Sequence, residues 1–277
     1  MTRNQLINSI FNKRTFLCVG LDPDIKKFPS CIEKNENSVF LFNKAIIDAT
    51  AKHCVAFKPN VAFYECLGVS GWKALENTIK YIKTNYPEHL VIADAKRADI
   101  GNTAKKYAET FFEHLQADAI TLSPYMGKDS IEPFLCFKDK WSIILAVTSN
   151  QGATDFQLAK LNNGREVFEK VIETSKNWGS PDNIMYVAGA TQGALLRKVR
   201  ELAPNNFLLV PGIGAQGGDL NEVVRKAMTK ECGLLINSSR SILYASSGKD
   251  FAEAAAEAAL NIAAEMGRYL DNISKNA

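Results

Sequence analysis

The chain has 277 residues, 46% of them hydrophobic, which is enough for a substantial core in one large α/β domain or two small ones. Its 33 basic and 30 acidic residues leave a net charge of +3, which is too small to indicate a nucleic-acid or membrane-surface partner. No apolar run is long enough for a signal peptide or a membrane span, and the six cysteines are scattered, so we expect a cytoplasmic protein with reduced thiols.

Eight short apolar or β-branched segments alternate with helix-like segments along the chain. The predicted strands cover residues 15–22, 54–60, 90–96, 118–124, 142–149, 184–191, 207–212 and 233–240. Between them apolar residues recur at helical spacing, as Leu75, Ile79 and Ile82 do in residues 71–86. Eight βαβ units in a chain of this length favour a closed (β/α)8 TIM barrel over the rival fold, a doubly wound open sheet. No linker divides the chain, so we expect residues 1–277 to form one domain.

Charged side chains stand at the ends of three successive predicted strands. Asp22 ends the first, Lys58 the second, and Asp94 and Lys96 the third. Residues two apart on a strand share a face, so Asp94 and Lys96 point the same way. Each charge alone has a structural interpretation: Asp22 opens a turn, Lys58 is solvated and Asp99 caps the next helix. Together they favour an active site at the barrel mouth, where the carboxyl ends of the strands meet.

The longest connection follows the fifth predicted strand. Its first part, residues 150–166, is rich in Gly, Asn and Gln. Two interpretations stay open, an ordinary surface excursion and a lid over the mouth, because loops on this face of a barrel carry function.

A G-x-G-x-x-G pattern, Gly212-Ile-Gly214-Ala-Gln-Gly217, follows the seventh predicted strand. A dinucleotide site is disfavoured, because the pattern lies in the seventh unit and the next strand ends in Asn and Ser rather than an acid. In a TIM barrel the loops after strands seven and eight often bind phosphate, and a glycine turn before a helix presents N–H groups to an anion. Gln216 adds an amide donor, and the planar fork of Arg240 suits phosphate oxygens. We predict a phosphate site here rather than a purely structural turn.

Seven motifs together resemble one family. GLDPD, FKPN, DAKRADIGNT, SPYMG, TSNQGA, PGIGAQGGD and NSSRSI occur in the order found in orotidine 5′-phosphate decarboxylases of the longer bacterial form, and the resemblance covers essentially the whole chain. It implies removal of CO2 from C6 of orotidine 5′-monophosphate to leave UMP, the last step of de novo pyrimidine nucleotide synthesis. It also implies that no metal or cofactor takes part.

The resemblance assigns roles to individual residues. It makes Lys96 the proton donor to C6, with Asp94, Asp99 and Lys58 as its catalytic partners. The residues that it places at the substrate are Asp22 at the ribose, Ser149 at the pyrimidine amide, Gln216 and Arg240 at the phosphate, and Ile100 and Thr103 beside Asp99; the glycine turn adds Gly214. It further implies a homodimer in which Asp99 and Thr103 complete the partner subunit's site.

The chemistry gives these residue types a reason. Decarboxylation at C6 leaves an electron pair in the ring plane that the π-system cannot delocalise, so the protein must stabilise it electrostatically. A lysine ammonium does so and supplies the proton, and neighbouring carboxylates keep it charged. Two alternatives stay open. One is a Mg²⁺-dependent sugar-phosphate lyase of the hexulose-phosphate synthase type, which needs a further carboxylate where this chain has Lys58. The other is a non-catalytic pyrimidine nucleotide-binding protein.

Overall fold

The strands form the closed barrel that the sequence predicts. The computed structural model describes residues 1–189, 193–212 and 219–275. The strands of these ranges are β1 (Leu17–Leu21), β2 (Ala56–Pro59), β3 (Leu90–Arg97), β4 (Ala119–Leu122), β5 (Trp141–Val147), β6 (Ile184–Ala188), β7 (Leu208–Pro211) and β8 (Leu234–Ser238). Each strand pairs in parallel with the next, and β8 pairs with β1 to close the sheet. The (β/α)8 prediction is confirmed, and the rival open sheet is wrong.

Helices precede the first strand, connect successive strands and follow the last strand. They are α1 (Arg3–Lys13), α2 (Ser38–Thr50), α3 (Ala62–Glu65), α4 (Gly68–Asn85), α5 (Gly101–Ala108), α6 (Glu132–Leu135), α7 (Val167–Ser175), α8 (Gly193–Leu202), α9 (Leu220–Ala227), α10 (Arg240–Leu243) and α11 (Phe251–Lys275). A π-helical stretch, Glu109–His114, continues α5. In the part of the chain that the structure describes, no helix has the length and apolar character needed to cross a membrane.

Both faces of the strands are covered, which explains their almost unbroken apolar sequence. Every residue of β1, β6 and β8 is buried. Parallel strands show this pattern because one face packs inside the barrel and the other packs against helices. On α4 the residues Leu75, Ile79 and Ile82 are fully buried, as their spacing predicts. Burial contributes about 1.5–3 kcal/mol for each large apolar side chain, so it fixes the helices against the sheet.

A bulge interrupts the pairing of β3 with β4 at the carboxyl ends of the two strands. Ala93 pairs with Ile120 and Arg97 with Leu122, so four steps along β3 match two along β4. Lys96 lies inside this bulge with φ = 44°, a left-handed conformation that residues other than glycine seldom adopt. Bulges are frequent next to active sites, where they redirect a side chain. The irregularity therefore lies at the carboxyl end of the barrel, where TIM barrels carry their active sites.

Candidate active site

Lys58, Asp94 and Lys96 form one charged cluster where β2 and β3 end. Lys58 Nζ donates to Asp94 Oδ2 at 2.9 Å, and Lys96 Nζ donates to Asp94 Oδ1 at 2.6 Å. Lys58 is 4% exposed, whereas the Lys96 side chain is 52% exposed. The barrel therefore encloses the first ammonium group and presents the second at its open mouth. The structure brings these three predicted residues together.

Opposite charges set the ionisation of this cluster. Burial works to lower the pKa of Lys58, but the carboxylates of Asp94 and Asp22 outweigh it and hold that pKa above its ordinary value. Burial also works to raise the pKa of Asp94, but Lys58 and Lys96 outweigh it and hold that pKa below its ordinary value. Lys58 and Asp94 therefore both stay ionised at neutral pH.

Two cavities open at the mouth, and Lys58, Asp94 and Pro211 line both of them. The first, the apolar cavity, has a volume of about 230 Å³ and is further lined by Lys96, Thr121, Leu145, Thr148, Ser149, Asn150, Val187 and Leu209. The second, the polar cavity, has a volume of about 210 Å³ and is further lined by Asp22, Asn60, Gly212, Asn237, Ser238, Ser239 and Arg240. The pair can hold an elongated ligand that is apolar at one end and hydroxylated or anionic at the other.

Three further predicted residues line these cavities. Asp22 is in the polar cavity, and its Oδ1 is buried with no hydrogen-bond partner among the described residues. Arg240 is exposed at the first position of α10, also in the polar cavity. Ser149 lines the apolar cavity. The predicted phosphate residues Gly214 and Gln216 lie outside the described residues.

Asp99 and Ile100 lie on the turn from β3 into α5, Thr103 lies in the first turn of α5, and the three line neither cavity. Asp99 Oδ1 accepts the N–H of Ile100 at 2.8 Å. Ile100 is the N-cap position of α5, and among the described residues no side chain caps that helix end, so Asp99 does not act as its N-cap residue. Ile100 is 51% exposed and Thr103 is exposed as well, so both are open to contact with another molecule.

The sequence prediction missed several polar residues of the cavities, among them Asn60, Asn237 and Thr121. Asn60 directly follows β2 in the segment FKPN and Asn237 is the second-last residue of β8 in INSSR, so the strand-end argument that found Lys58 could have found them. Asn237 Oδ1 is buried without a partner among the described residues. Thr121, by contrast, reads as an ordinary β-branched residue of a buried strand. Only the structure shows that its hydroxyl donates to Asp94 Oδ1 at 2.9 Å.

Two glycines allow close approach of the chain at the mouth. A Cβ at Gly20 would lie 1.9 Å from Ser239 Oγ, so a larger residue there would displace the end of β8 that lines the polar cavity. A Cβ at Gly189 would lie 2.8 Å from the backbone nitrogen of Ser149. Both positions therefore need glycine for steric reasons, and the shape of each cavity depends on it.

The segment 150–166 is anchored to the barrel by hydrogen bonds. Gln157 Oε1 accepts the N–H of Thr148 at 2.7 Å, and Gln157 O accepts the N–H of Phe168 at 2.9 Å. Phe156 is 66% exposed, and its ring meets that of Tyr125 at 6.3 Å between centroids. The segment thus lies beside the apolar cavity, and its role as a lid stays a prediction.

A larger cavity, of about 450 Å³, lies between α1 and the segment before β3, at the opposite end of the barrel. Its ammonium groups are already engaged. Lys13 Nζ donates to the carbonyls of Ala51 and Cys54, and Lys83 Nζ donates to Asp118. Function in TIM barrels belongs to the carboxyl end of the strands, and the amino end serves stability. The candidate active site is therefore the mouth.

Known proteins resemble this chain over nearly its whole length. Residues 15–258 match the orotidine 5′-phosphate decarboxylase / HUMPS family. The orotidine 5′-phosphate decarboxylase of Phocaeicola vulgatus is 54% identical over 270 residues, which are 98% of this chain and 99% of that protein. The OMP decarboxylase structure from Leishmania donovani is 36% identical with a TM-score of 0.80, covering 95% of this chain and 99% of that one.

The UMP synthase structure of Leishmania donovani is similar as well. It is 38% identical with a TM-score of 0.81, and the match covers 95% of this chain but 57% of the synthase. This chain therefore spans little more than half of that longer protein. Taken together, the family match and the near full-length identity show that the chain is an enzyme of the orotidine 5′-phosphate decarboxylase / HUMPS family.

Proposed function

We propose that this enzyme removes CO2 from C6 of orotidine 5′-monophosphate to give UMP, with Lys96 as the proton donor and without a metal or cofactor. The observation that carries the proposal is the Asp94 carboxylate held between the ammonium groups of Lys58 and Lys96. The names of the similar proteins, decarboxylases of this nucleotide, support the same substrate. So does the pairing of an apolar with a polar cavity at that cluster.

The exposed ammonium of Lys96 suits both halves of the reaction. As the C6–CO2 bond breaks, its electron pair stays on C6 in the ring plane, and a nearby positive charge stabilises it. The same ammonium then transfers a proton to C6, so that UMP leaves with a C–H bond in place of the carboxylate. Asp94 accepts a hydrogen bond from Lys96 Nζ and so fixes the direction of that ammonium group. Lys58 in turn neutralises Asp94 from inside the barrel.

The remainder of the nucleotide fits the two cavities. The pyrimidine ring would lie against Leu145, Val187 and Leu209, with its amide near Ser149. The ribose hydroxyls would donate to Asp22 Oδ1, a buried acceptor that has no partner among the described residues. The phosphate would meet Arg240, which lines the polar cavity. Binding energy from that remote phosphate can support the reaction at C6 by fixing the position of the ring.

We also propose that residues 1–277 form a single catalytic domain and that two such chains form a dimer with shared sites. The dimer is supported by Asp99, Ile100 and Thr103, because these residues follow β3, the strand of Lys96, yet line neither cavity of their own barrel. An isologous interface would bring the same three residues to the partner's mouth. Each active site would then be completed by the other subunit.

The fall in ultraviolet absorbance on adding orotidine 5′-monophosphate tests the reaction, with UMP and CO2 identified as products. The Mg²⁺-dependent lyase alternative predicts that EDTA abolishes turnover and that Mg²⁺ restores it. We expect EDTA to have no effect, because Lys58 occupies the position beside Asp94 where a hard cation would need another oxygen ligand. Tight UMP binding without any absorbance change would instead favour the non-catalytic binding protein.

A further inference from the structure

Thr121 on β4 makes two hydrogen bonds that tie Asp94 to Lys96. Its Oγ1 accepts the backbone N–H of Lys96 at 2.9 Å and donates to Asp94 Oδ1, also at 2.9 Å. Thr121 is 1% exposed, so its hydroxyl has almost no contact with bulk water. One hydroxyl thus connects the two residues of β3 that the proposed reaction uses most directly.

The direction of both bonds is fixed by the groups involved. The backbone N–H of Lys96 can only donate, so Thr121 Oγ1 must accept from it. The carboxylate of Asp94 is ionised and can only accept, so the hydroxyl proton of Thr121 points to Asp94. A hydrogen-bonded chain polarised in one direction strengthens each of its bonds. The position therefore needs a single atom that both donates and accepts.

The bulge explains why the hydroxyl is needed at this place. The shift in register between Ala93 and Arg97 lets Asp94 and Lys96 approach the same residue of β4. The N–H of Lys96 bonds to a side chain instead of to a carbonyl of the sheet ladder. With φ = 44°, Lys96 has an unfavourable backbone conformation, which persists only where its surroundings hold it.

We propose that Thr121 is a positioning residue for the decarboxylation: it holds the β3 bulge so that the Lys96 side chain and the Asp94 carboxylate keep the relative geometry that proton delivery to C6 needs. This inference rests on the proposed function. Thr121 acts through Lys96 and Asp94, and it is joined to them rather than to the reacting atoms. Losing its hydroxyl should therefore affect turnover much more than ligand binding.

Thr121→Ser and Thr121→Ala form the decisive pair, because they differ only in the hydroxyl. We expect the serine variant to keep kcat close to wild type and the alanine variant to lose roughly 10- to 100-fold in kcat, the effect of a hydrogen bond to a charged group. The KM for orotidine 5′-monophosphate and the Kd for UMP should change little in either. Thr50→Ala is the matched control, since Thr50 is equally buried and its hydroxyl donates to Ile46 O within α2, away from both cavities. The kcat of this variant should stay at the wild-type value.

A second readout needs no turnover. Hydrogen exchange of the Lys96 backbone amide should be faster in Thr121→Ala than in Thr121→Ser, because only serine still accepts that N–H. Equal kcat values or equal amide exchange in the two variants would overturn the inference. So would a parallel loss of kcat and UMP affinity in the alanine variant, which would make Thr121 a general support of the fold. Absence of turnover in the wild type would instead refute the proposed function, and amide exchange would still report on the two hydrogen bonds.

Discussion

Lys58 on β2 and Asp94 on β3 form an ion pair of 2.9 Å in which the side chains are only 5% and 11% exposed. A buried charge without a partner destabilises the fold strongly, and each of these side chains offsets the desolvation cost of the other. The pair also joins two adjacent strands at the point where the barrel opens. The proposed catalytic role and the structural role therefore fall on the same two side chains, and stability measurements can report on the geometry of the site.

The first prediction concerns the stability that this pair provides. Lys58→Met should lower the free energy of unfolding by about 3 kcal/mol, because it leaves a buried carboxylate with Lys96 as its remaining charged partner. Denaturant titration measures the change. Lys128→Met is the matched control, since Lys128 forms an exposed ion pair with Glu132 and exposed pairs contribute little. Equal effects of the two substitutions would show that the Lys58–Asp94 pair is not buried in solution.

The second prediction is that the difference in free energy of unfolding between wild type and Lys58→Met depends on pH. The pKa of Asp94 is lower in the folded protein than its ordinary value of about 3.9, so its ionised form stabilises the fold above that value and the contribution is lost as the pH falls further. The pKa of Lys58 is raised, so its contribution is complete well below its ordinary value of about 10.4. The stability difference between wild type and Lys58→Met should be constant from about pH 6 to 9 and shrink below about pH 4. A difference that grows on acidification would contradict this assignment.

The positions of the strands along the chain were predictable, because each strand has a recognisable local composition. Residues 90–96 were expected to form a strand, and β3 differs from that range by one residue. A parallel strand buried on both faces needs a continuous apolar run, and such runs are visible without any knowledge of tertiary structure. The strand-end rule likewise predicted that Lys58 and Asp94 would meet, since adjacent parallel strands end at the same edge.

The bulge was not predictable, because it is a property of the pairing between two strands. The sequence suggested that Asp94 and Lys96 share a face through simple alternation, yet they do so across a register shift with Lys96 at φ = 44°. Lysine gives no sign of a left-handed conformation in the way that glycine does. Thr121 was overlooked for the same reason, since its hydroxyl matters only once the bulge brings both partners to it.

The third prediction tests the proton donor. Lys96→Ala should reduce kcat by at least roughly 100- to 1000-fold, because it removes both the positive charge at C6 and the proton. The fold should be unaffected, since the Lys96 side chain is 52% exposed, and UMP should still bind. Lys170→Ala, a substitution of an exposed lysine on α7, should leave kcat unchanged. Near-normal turnover of Lys96→Ala, measured by the absorbance assay, would show that Lys96 is not the proton donor.

The fourth prediction separates phosphate recognition from the rest of the site. Arg240→Ala should lower kcat/KM for orotidine 5′-monophosphate by roughly 10- to 100-fold and leave kcat/KM for phosphate-free orotidine unchanged, because the guanidinium is expected to contact only the phosphate. Arg197→Ala on α8 is the control, as Arg197 forms an exposed pair with Glu201 outside both cavities. If Arg240→Ala impairs both substrates equally, Arg240 supports the structure and the phosphate binds elsewhere.

The last prediction concerns Asp99, which follows β3 but lines neither cavity of its own barrel. If it completes the partner subunit's site, Lys96→Ala and Asp99→Ala should each be nearly inactive alone. In a mixed dimer one site carries both defects and the other carries neither. Random exchange of equal amounts makes half of the dimers mixed, so about a quarter of the wild-type sites should return.

Mixing Lys96→Ala with Lys58→Ala is the control, because both residues belong to one barrel and a mixed dimer would leave each site with a defect. If labelled subunits exchange and no activity returns with Asp99→Ala, then Asp99 serves its own barrel and the shared-site dimer is wrong.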